Sequence, residues 1–287
     1  MAANLAPSDV EPLHNFRIPD LPPDFYYIPN FITTEEEASI LRKIPAQRWV
    51  TLSHRRLQAH PSTLTPNNTL LASPLQPFLI TPVVDRFKTL DIFDKTPHRT
   101  PNHVLINEYK RGEGIMPHED GSAYAEVVAT VSLGASICLQ ISPKPGDTPS
   151  ENNPCPESSM PDDSQDADDK HNYPGSGNED TIERCATSTS SSRHQYKIPT
   201  RILQEPRSLL ITTGPAYTNL LHGIAPNEVD EDLSPDTVAN WSLLAEPQII
   251  EAAGGRNERA TRVSLTYRDV LKVSSAASKV FGGLGKR

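Results

Sequence analysis

Seven residues near the C-terminal end constrain this chain more than any other segment. In Arg262-Val263-Ser264-Leu265-Thr266-Tyr267-Arg268 every even position is polar and every odd position apolar. A period of two is the mark of a β-strand, whose successive side chains leave on opposite faces. One face buries Val263, Leu265 and Tyr267, and the other lines up Arg262, Ser264, Thr266 and Arg268 in one row. Two arginines on one face are unfavourable unless that face meets solvent or an anion, and a guanidinium fork matches a carboxylate. An edge strand with its arginines in water is the plainer alternative.

The same texture begins at residue 102. His103–Tyr109, Val127–Ile141, Ser208–Thr212, Ala216–Ile224 and Thr261–Arg268 all read as strands, with few helical signals between them. Crossover-linked parallel strands are therefore excluded in favour of an antiparallel barrel or sandwich. Ahead of them, Thr33-Thr34-Glu35-Glu36 is a capping-box pattern, and Ala38, Leu41 and Ile44 follow at helical spacing, predicting a helix over 34–44. A second helix is expected over Pro77–Leu90, a short strand at Trp49–Leu52, and a basic loop at Ser53–Arg56.

Charge divides the chain unevenly. The formal net charge is -9, but residues 142–196 hold 4 Lys or Arg against 11 Asp or Glu, or -7, which leaves -2 for the rest. The body is thus nearly neutral, and net charge does not exclude a nucleic-acid partner. Residues 142–196 carry too few apolar groups to offset chain entropy and read as a disordered insertion. The expected organisation is an extended arm over 1–24, a single domain over 25–272 interrupted by 142–196 and by a second insertion at 226–259, and a tail over 273–287. Cysteines at 138, 155 and 185 have neither metal-site spacing nor the even count of a disulfide framework, which points to a reducing compartment. The N-terminal residues lack a basic start followed by an apolar run, and no stretch approaches about 18 apolar residues. A cytoplasmic or nuclear protein with no membrane segment is expected, acting as a monomer.

The strongest chemical signal is Gly114-Ile115-Met116-Pro117-His118-Glu119-Asp120-Gly121. In extended chain, His118 and Asp120 point together while Glu119 points away. A second histidine from another strand would complete a two-His, one-carboxylate face, which suits Fe(II) that must also bind a chelating acid and O2. His222, flanked by Leu220, Leu221 and Ile224, is a candidate, although a histidine among aliphatics also fits a packed core. Asn107 and Tyr109 share one strand face and Val104 and Ile106 the other.

The order of these features is more specific than any one of them. With PNHVLINEYKRGEGIMPHEDGSAYAEVVATVSLG (from Pro101), EPRSLLITTGPAYTNLLHGI (Glu205–Ile224) and TRVSLTYR (to Arg268), the chain resembles the AlkB family of Fe(II)- and 2-oxoglutarate-dependent dioxygenases. The match extends to FYYIPNFITTEEEASILRKI and is nearest to the sixth AlkB homologue subgroup. The resemblance implies a mainly β double-stranded β-helix (jelly-roll) with N-terminal buttressing helices. It implies His118, Asp120 and His222 as iron ligands, Asn107 and Tyr109 as 2-oxoglutarate contacts, and Arg262 as the partner of its distal carboxylate. Ser264 and Arg268 occupy the neighbouring co-substrate positions, with Ser264 standing where the family commonly has Asn.

The function implied is oxidative demethylation of N-alkylated DNA or RNA, single-stranded or with the base flipped out, using Fe(II), 2-oxoglutarate and O2. Trp49, His54, Arg55, Arg56 and Arg111 are candidates for stacking and phosphate contacts. Two other readings stay open: a protein or small-molecule hydroxylase or demethylase of the same fold, and a non-catalytic nucleic-acid-binding module. The first would lack salt-steep oligonucleotide binding, and the second would lack succinate formation.

Overall fold

The computed structural model describes residues 11–145 and 196–274. The 142–196 segment therefore lies outside the described residues except at 142–145 and 196, as do 1–10 of the arm and 275–287 of the tail. In chain order the first strands are β1 (Phe25–Ile28), β2 (Val50–Thr51), β3 (Arg56–His60), β4 (Thr69–Leu71), β5 (His103–Tyr109), β6 (Ile115–His118) and β7 (Tyr124–Leu133). They are followed by β8 (Ile137–Pro143), β9 (Thr200–Gln204), β10 (Leu209–Thr213), β11 (Leu220–Ile224), β12 (Val229–Asp230), β13 (Asn257–Glu258), β14 (Arg262–Val270) and β15 (Lys272–Ser274). The α-helices are α1 (Thr34–Lys43), α2 (Pro77–Ile80), α3 (Val83–Thr89), α4 (Gly214–Asn219) and α5 (Pro247–Ala252).

Two antiparallel sheets carry the architecture. The larger runs β1-β10-β7-β14-β5-β3-β2 and the smaller β6-β11-β8-β9. β14 lies in the interior of the larger sheet, with β5 on one side and β7 on the other, and all nine of its residues are buried. The edge-strand alternative for Arg262–Arg268 is thereby overturned. Val263, Leu265 and Tyr267 face a core shared with Ile40 of α1, Leu79 of α2 and Phe87 of α3. Each such aliphatic side chain contributes roughly 1.5–3 kcal/mol by leaving water. Tyr267 also donates its hydroxyl to the Leu79 carbonyl at 2.9 Å, satisfying the one polar atom it buries. The helices thus buttress one face of the large sheet. A second core, with Tyr27 and Leu210 from the large sheet and Ile137, Ile141 and Ile202 from the small one, joins the two sheets as a β-sandwich.

Helix α1 begins as its sequence requires. Thr33 Oγ1 accepts from Glu36 N at 3.2 Å and Glu36 Oε2 accepts from Thr33 N at 2.8 Å, closing the capping box. The helix expected over Pro77–Leu90 is two helices, because Pro82 lacks an amide hydrogen and the preceding Thr81 is extended (φ -102, ψ 126). The expected strand Ala216–Ile224 is likewise half helix: Gly214-Pro215 opens α4 with proline in its first turn, and only Leu220–Ile224 pairs as a strand. Val127–Ile141 is a hairpin of β7 and β8 rather than one run. Arg56 belongs to β3, not to the loop before it.

Two further segments pack closely. Among residues 11–24, Ile18 and Leu21 are fully buried in the core between the sheets. Residues 226–259 hold the β12–β13 pair, a 3-10 turn at Trp241–Leu243 and α5. Asn240 pins this stretch to β9 by accepting from Leu203 N at 2.9 Å and donating to Leu203 O at 2.8 Å. Among the described residues, no helix is long and apolar enough to cross a membrane.

Candidate metal centre

The pairing of β6 with β11 places His222 directly opposite His118, with ring centroids 4.4 Å apart. Asp120 follows two residues after His118, just beyond the end of β6. One ligand-capable atom from each of His118, Asp120 and His222 lies within 4.8 Å of the other two, so the three could hold a single metal ion. Two glycines permit this approach. A Cβ on Gly114 would stand 2.2 Å from the Ile224 carbonyl oxygen, and one on Gly223 would stand 2.9 Å from Pro117 N. Any larger residue would push the two ligand-bearing strands apart.

Each ligand is prepared by its surroundings. His118 Nδ1 donates to the Met116 carbonyl at 2.8 Å, which leaves the lone pair on Nε2 for a cation. Burial lowers the His222 pKa from 6.5 to about 4, so its ring is neutral near pH 7, the form that ligates metals. Burial would raise Asp120, but Arg268 and then His222 outweigh it and hold the carboxyl below its ordinary value. Arg268 Nη2 donates to Asp120 Oδ1, which orients the carboxylate. Two imidazoles and one oriented carboxylate, on an open pocket, fit a non-haem Fe(II) site.

From this centre a cavity of about 300 Å³ runs inward between the sheets. His118, Asp120, His222, Asn107, Tyr109, Arg262, Ser264 and Arg268, the eight site residues expected from sequence, all line it. Strand register explains their convergence, since β14 sets Arg262 opposite Tyr109 and Ser264 opposite Asn107 on β5.

Arg262 marks the inner end. It is 2% exposed, donates Nε to Ser132 Oγ and Nη2 to Gln204 Oε1, each at 2.8 Å, and lies 5.9 Å from the centre of the Tyr109 ring. Among the described residues it has no carboxylate partner, and burial lowers its pKa from 12.5 to about 10. It remains a cation near pH 7, buried without a counter-ion. Such a charge is strongly unfavourable unless an anion joins it. A small dicarboxylate spanning from the metal site to Arg262 would supply one.

Ser132 and Gln204, which hold Arg262, carry no local sequence signal and were not expected. Of the proposed nucleic-acid contacts, Arg56 is tied to Glu108 at 2.6 Å and lies over Trp49 at 4.5 Å. Arg111 bridges Glu228 at 3.0 Å and Glu258 at 3.3 Å. Arg55 instead lines the pocket and donates to Asn107, while His54 is exposed.

Sequence comparison with known proteins agrees with this geometry. The family model described as "2OG-Fe(II) oxygenase superfamily" matches residues 24–268. "Probable RNA/DNA demethylase ALKBH6" of Danio rerio is 32% identical over 277 residues, covering 96% of this chain and 97% of that protein. "Uncharacterized protein L905" of Acanthamoeba polyphaga mimivirus is 26% identical over 256 residues, 86% of this chain and 85% of its own. A solved structure described as "The structure of OsALKBH1" aligns with a TM-score of 0.44 at 14% identity, over 87% of this chain and 99% of that one.

Proposed function

The chain belongs to the 2OG-Fe(II) oxygenase superfamily, in its AlkB-like branch, and we propose that it oxidatively demethylates N-alkylated bases of single-stranded or flipped-out DNA or RNA. As a dioxygenase it uses Fe(II), 2-oxoglutarate and O2. The observation that carries the co-substrate assignment is Arg262, a buried cation with no acidic partner among the described residues, on the cavity that the three metal-ligand candidates open into.

His118, Asp120 and His222 would hold the iron, which when bound supplies the chemistry that couples oxidation of 2-oxoglutarate to succinate and CO2 with oxidation of a substrate C–H bond. Arg262 pairs with the distal carboxylate of 2-oxoglutarate, steadied by Ser132 and Gln204. Asn107, Tyr109 and Ser264 flank the co-substrate from the same sheet face, and Arg268 keeps the Asp120 carboxylate turned toward the centre. Leu105, Leu139 and Ile141 line the cavity with apolar groups and exclude water from it. Tyr124 and Tyr217, also on the cavity, offer aromatic walls for a planar base.

In the net reaction, O2 delivers one oxygen atom to succinate and one to the substrate, turning N–CH3 into N–CH2OH. The hydroxymethyl group then leaves as formaldehyde, and the nitrogen recovers a proton. The name of the Danio rerio relative supports nucleic acid as the substrate class. Purified protein with Fe(II), ascorbate and 2-oxoglutarate should release succinate, and N-methylated single-stranded oligonucleotides should lose a methyl group by mass spectrometry. Succinate without loss of methyl from any oligonucleotide would place the substrate elsewhere, in a protein or small molecule.

A further inference from the structure

Two guanidiniums on the cavity have no carboxylate partner among the described residues. One is Arg262, already discussed; the other is Arg55. Arg55 ends a tight loop in which Leu52 N donates to Arg55 O at 2.8 Å, just before β3. The loop faces outward: its Leu52 is 42% exposed, and Val50 of the adjoining β2 is 54% exposed. Arg55 itself is half-buried and reaches inward, donating Nε to Asn107 Oδ1 at 3.2 Å. That bond leaves both terminal Nη groups available to an anion. Asn107 stands beside Ser264, on the face assigned above to 2-oxoglutarate.

We propose that Arg55 positions the substrate strand by gripping one of its phosphodiesters, and that its bond to Asn107 couples this grip to occupancy of the co-substrate pocket. The proposal rests on the nucleic-acid reading. It selects Arg55 because Arg56 and Arg111, the other basic candidates nearby, are already neutralised by carboxylates. A free fork at the rim, beside the exposed Leu52, suits a chain whose anionic backbone passes the mouth while one base enters. Coupling follows because Asn107 serves both sides. When its amide turns to a co-substrate oxygen, the hold on Arg55 changes, and the effect on the two binding free energies must be reciprocal.

The test is equilibrium binding of a labelled, unmodified single-stranded DNA to the Mn(II)-loaded full-length protein, with and without 2-oxoglutarate, over a range of NaCl concentrations. In the parent protein, 2-oxoglutarate is expected to shift the DNA Kd by about 5-fold, within the usual range of coupling. Arg55→Gln should weaken DNA binding by about 5- to 10-fold, reduce the log–log salt slope by about 1, and abolish the shift. Arg55→Lys keeps the charge but lacks an Nε–H in that position, so it should restore the salt slope and not the coupling. Thermal unfolding midpoints equal to the parent's would establish that both variants are folded. If the parent binds DNA and Arg55→Gln matches it in affinity, slope and shift, the role of Arg55 is refuted while the nucleic-acid reading stands. Coupling that persists in Arg55→Lys refutes the bridge through Asn107. A parent protein that binds neither this DNA nor a single-stranded RNA of the same length refutes the nucleic-acid reading and this proposal together.

Discussion

On one side of β14, Val263, Leu265 and Tyr267 meet helices; on the other, Arg262 and Arg268 lie just as deeply among hydroxyls, an amide and a carboxylate. The strand is the same and the burial nearly equal, yet the two rows do opposite work. The helix-covered row removes apolar surface from water and stabilises the fold. The cavity row buries charge, which stabilises little or nothing by itself and is retained for what it binds. Structure and chemistry are separated by a single residue of register, so one-residue slippage would exchange them.

Four measurements bear on that contrast. The largest effect is expected from His222→Ala, on the cavity side. Partners of metal ligands already cost 10- to 100-fold, so loss of a direct ligand should lower succinate formation by more than about 100-fold and empty the site of metal. Its unfolding midpoint should fall little, and a large fall would mean that the cavity face also carries the fold.

Leu265→Ala tests the opposite face. It should lower stability by roughly 2–5 kcal/mol in denaturant titration while the folded fraction keeps its KM for 2-oxoglutarate. A changed KM with intact stability would erase the distinction between the faces.

Arg262→Ala comes third. Hydrogen bonds to charged groups are worth about 1.5–3 kcal/mol, so KM for 2-oxoglutarate should rise about 10- to 100-fold with metal affinity unchanged. Stability should hold or increase, because a buried, uncompensated cation is removed. An unchanged KM would end the assignment of Arg262.

The smallest effect concerns pH, and it compares one histidine on each face. His60, on the helix side, accepts from Arg48 through Nδ1 and bonds Gln58 through Nε2. His103, across the sheet, shares a cross-strand position with Arg268. Burial first, then Arg48 for His60 and Arg268 for His103, lowers both from 6.5 to about 4. Between those values the unfolded chain binds protons that the folded chain does not, so stability should fall as pH drops from about 6.5 toward 4. His60→Gln and His103→Gln should each flatten that slope in part, measured as unfolding free energy against pH. A slope that neither changes would assign the acid sensitivity to other groups.

Much of this was legible in the chain. The alternation at 262–268 is enough to set the two rows of β14, because strand period depends only on backbone geometry. The capping box at Thr33 and Glu36 is equally local. Errors fell where local signals conflict. Pro82 splits a pattern that looks like one helix, and Gly214-Pro215 turns a β-rich run into a short helix first. Strand β9, with Gln204 at its end, has a weak signal of its own, since Thr200–Gln204 is short, holds only two apolar residues and follows a long polar stretch.

Side-chain chemistry and a two-residue repeat are enough to say which residue types could ligate a metal and which arginines would share a face. It takes the folded chain to set His222 opposite His118, to bring Arg268 to Asp120, and to rest Arg262 on Ser132 and Gln204 with no carboxylate among the described residues. Those facts depend on strand pairings between segments more than fifty residues apart, and pairing register is set by packing of whole sheets and not by any short stretch of chain.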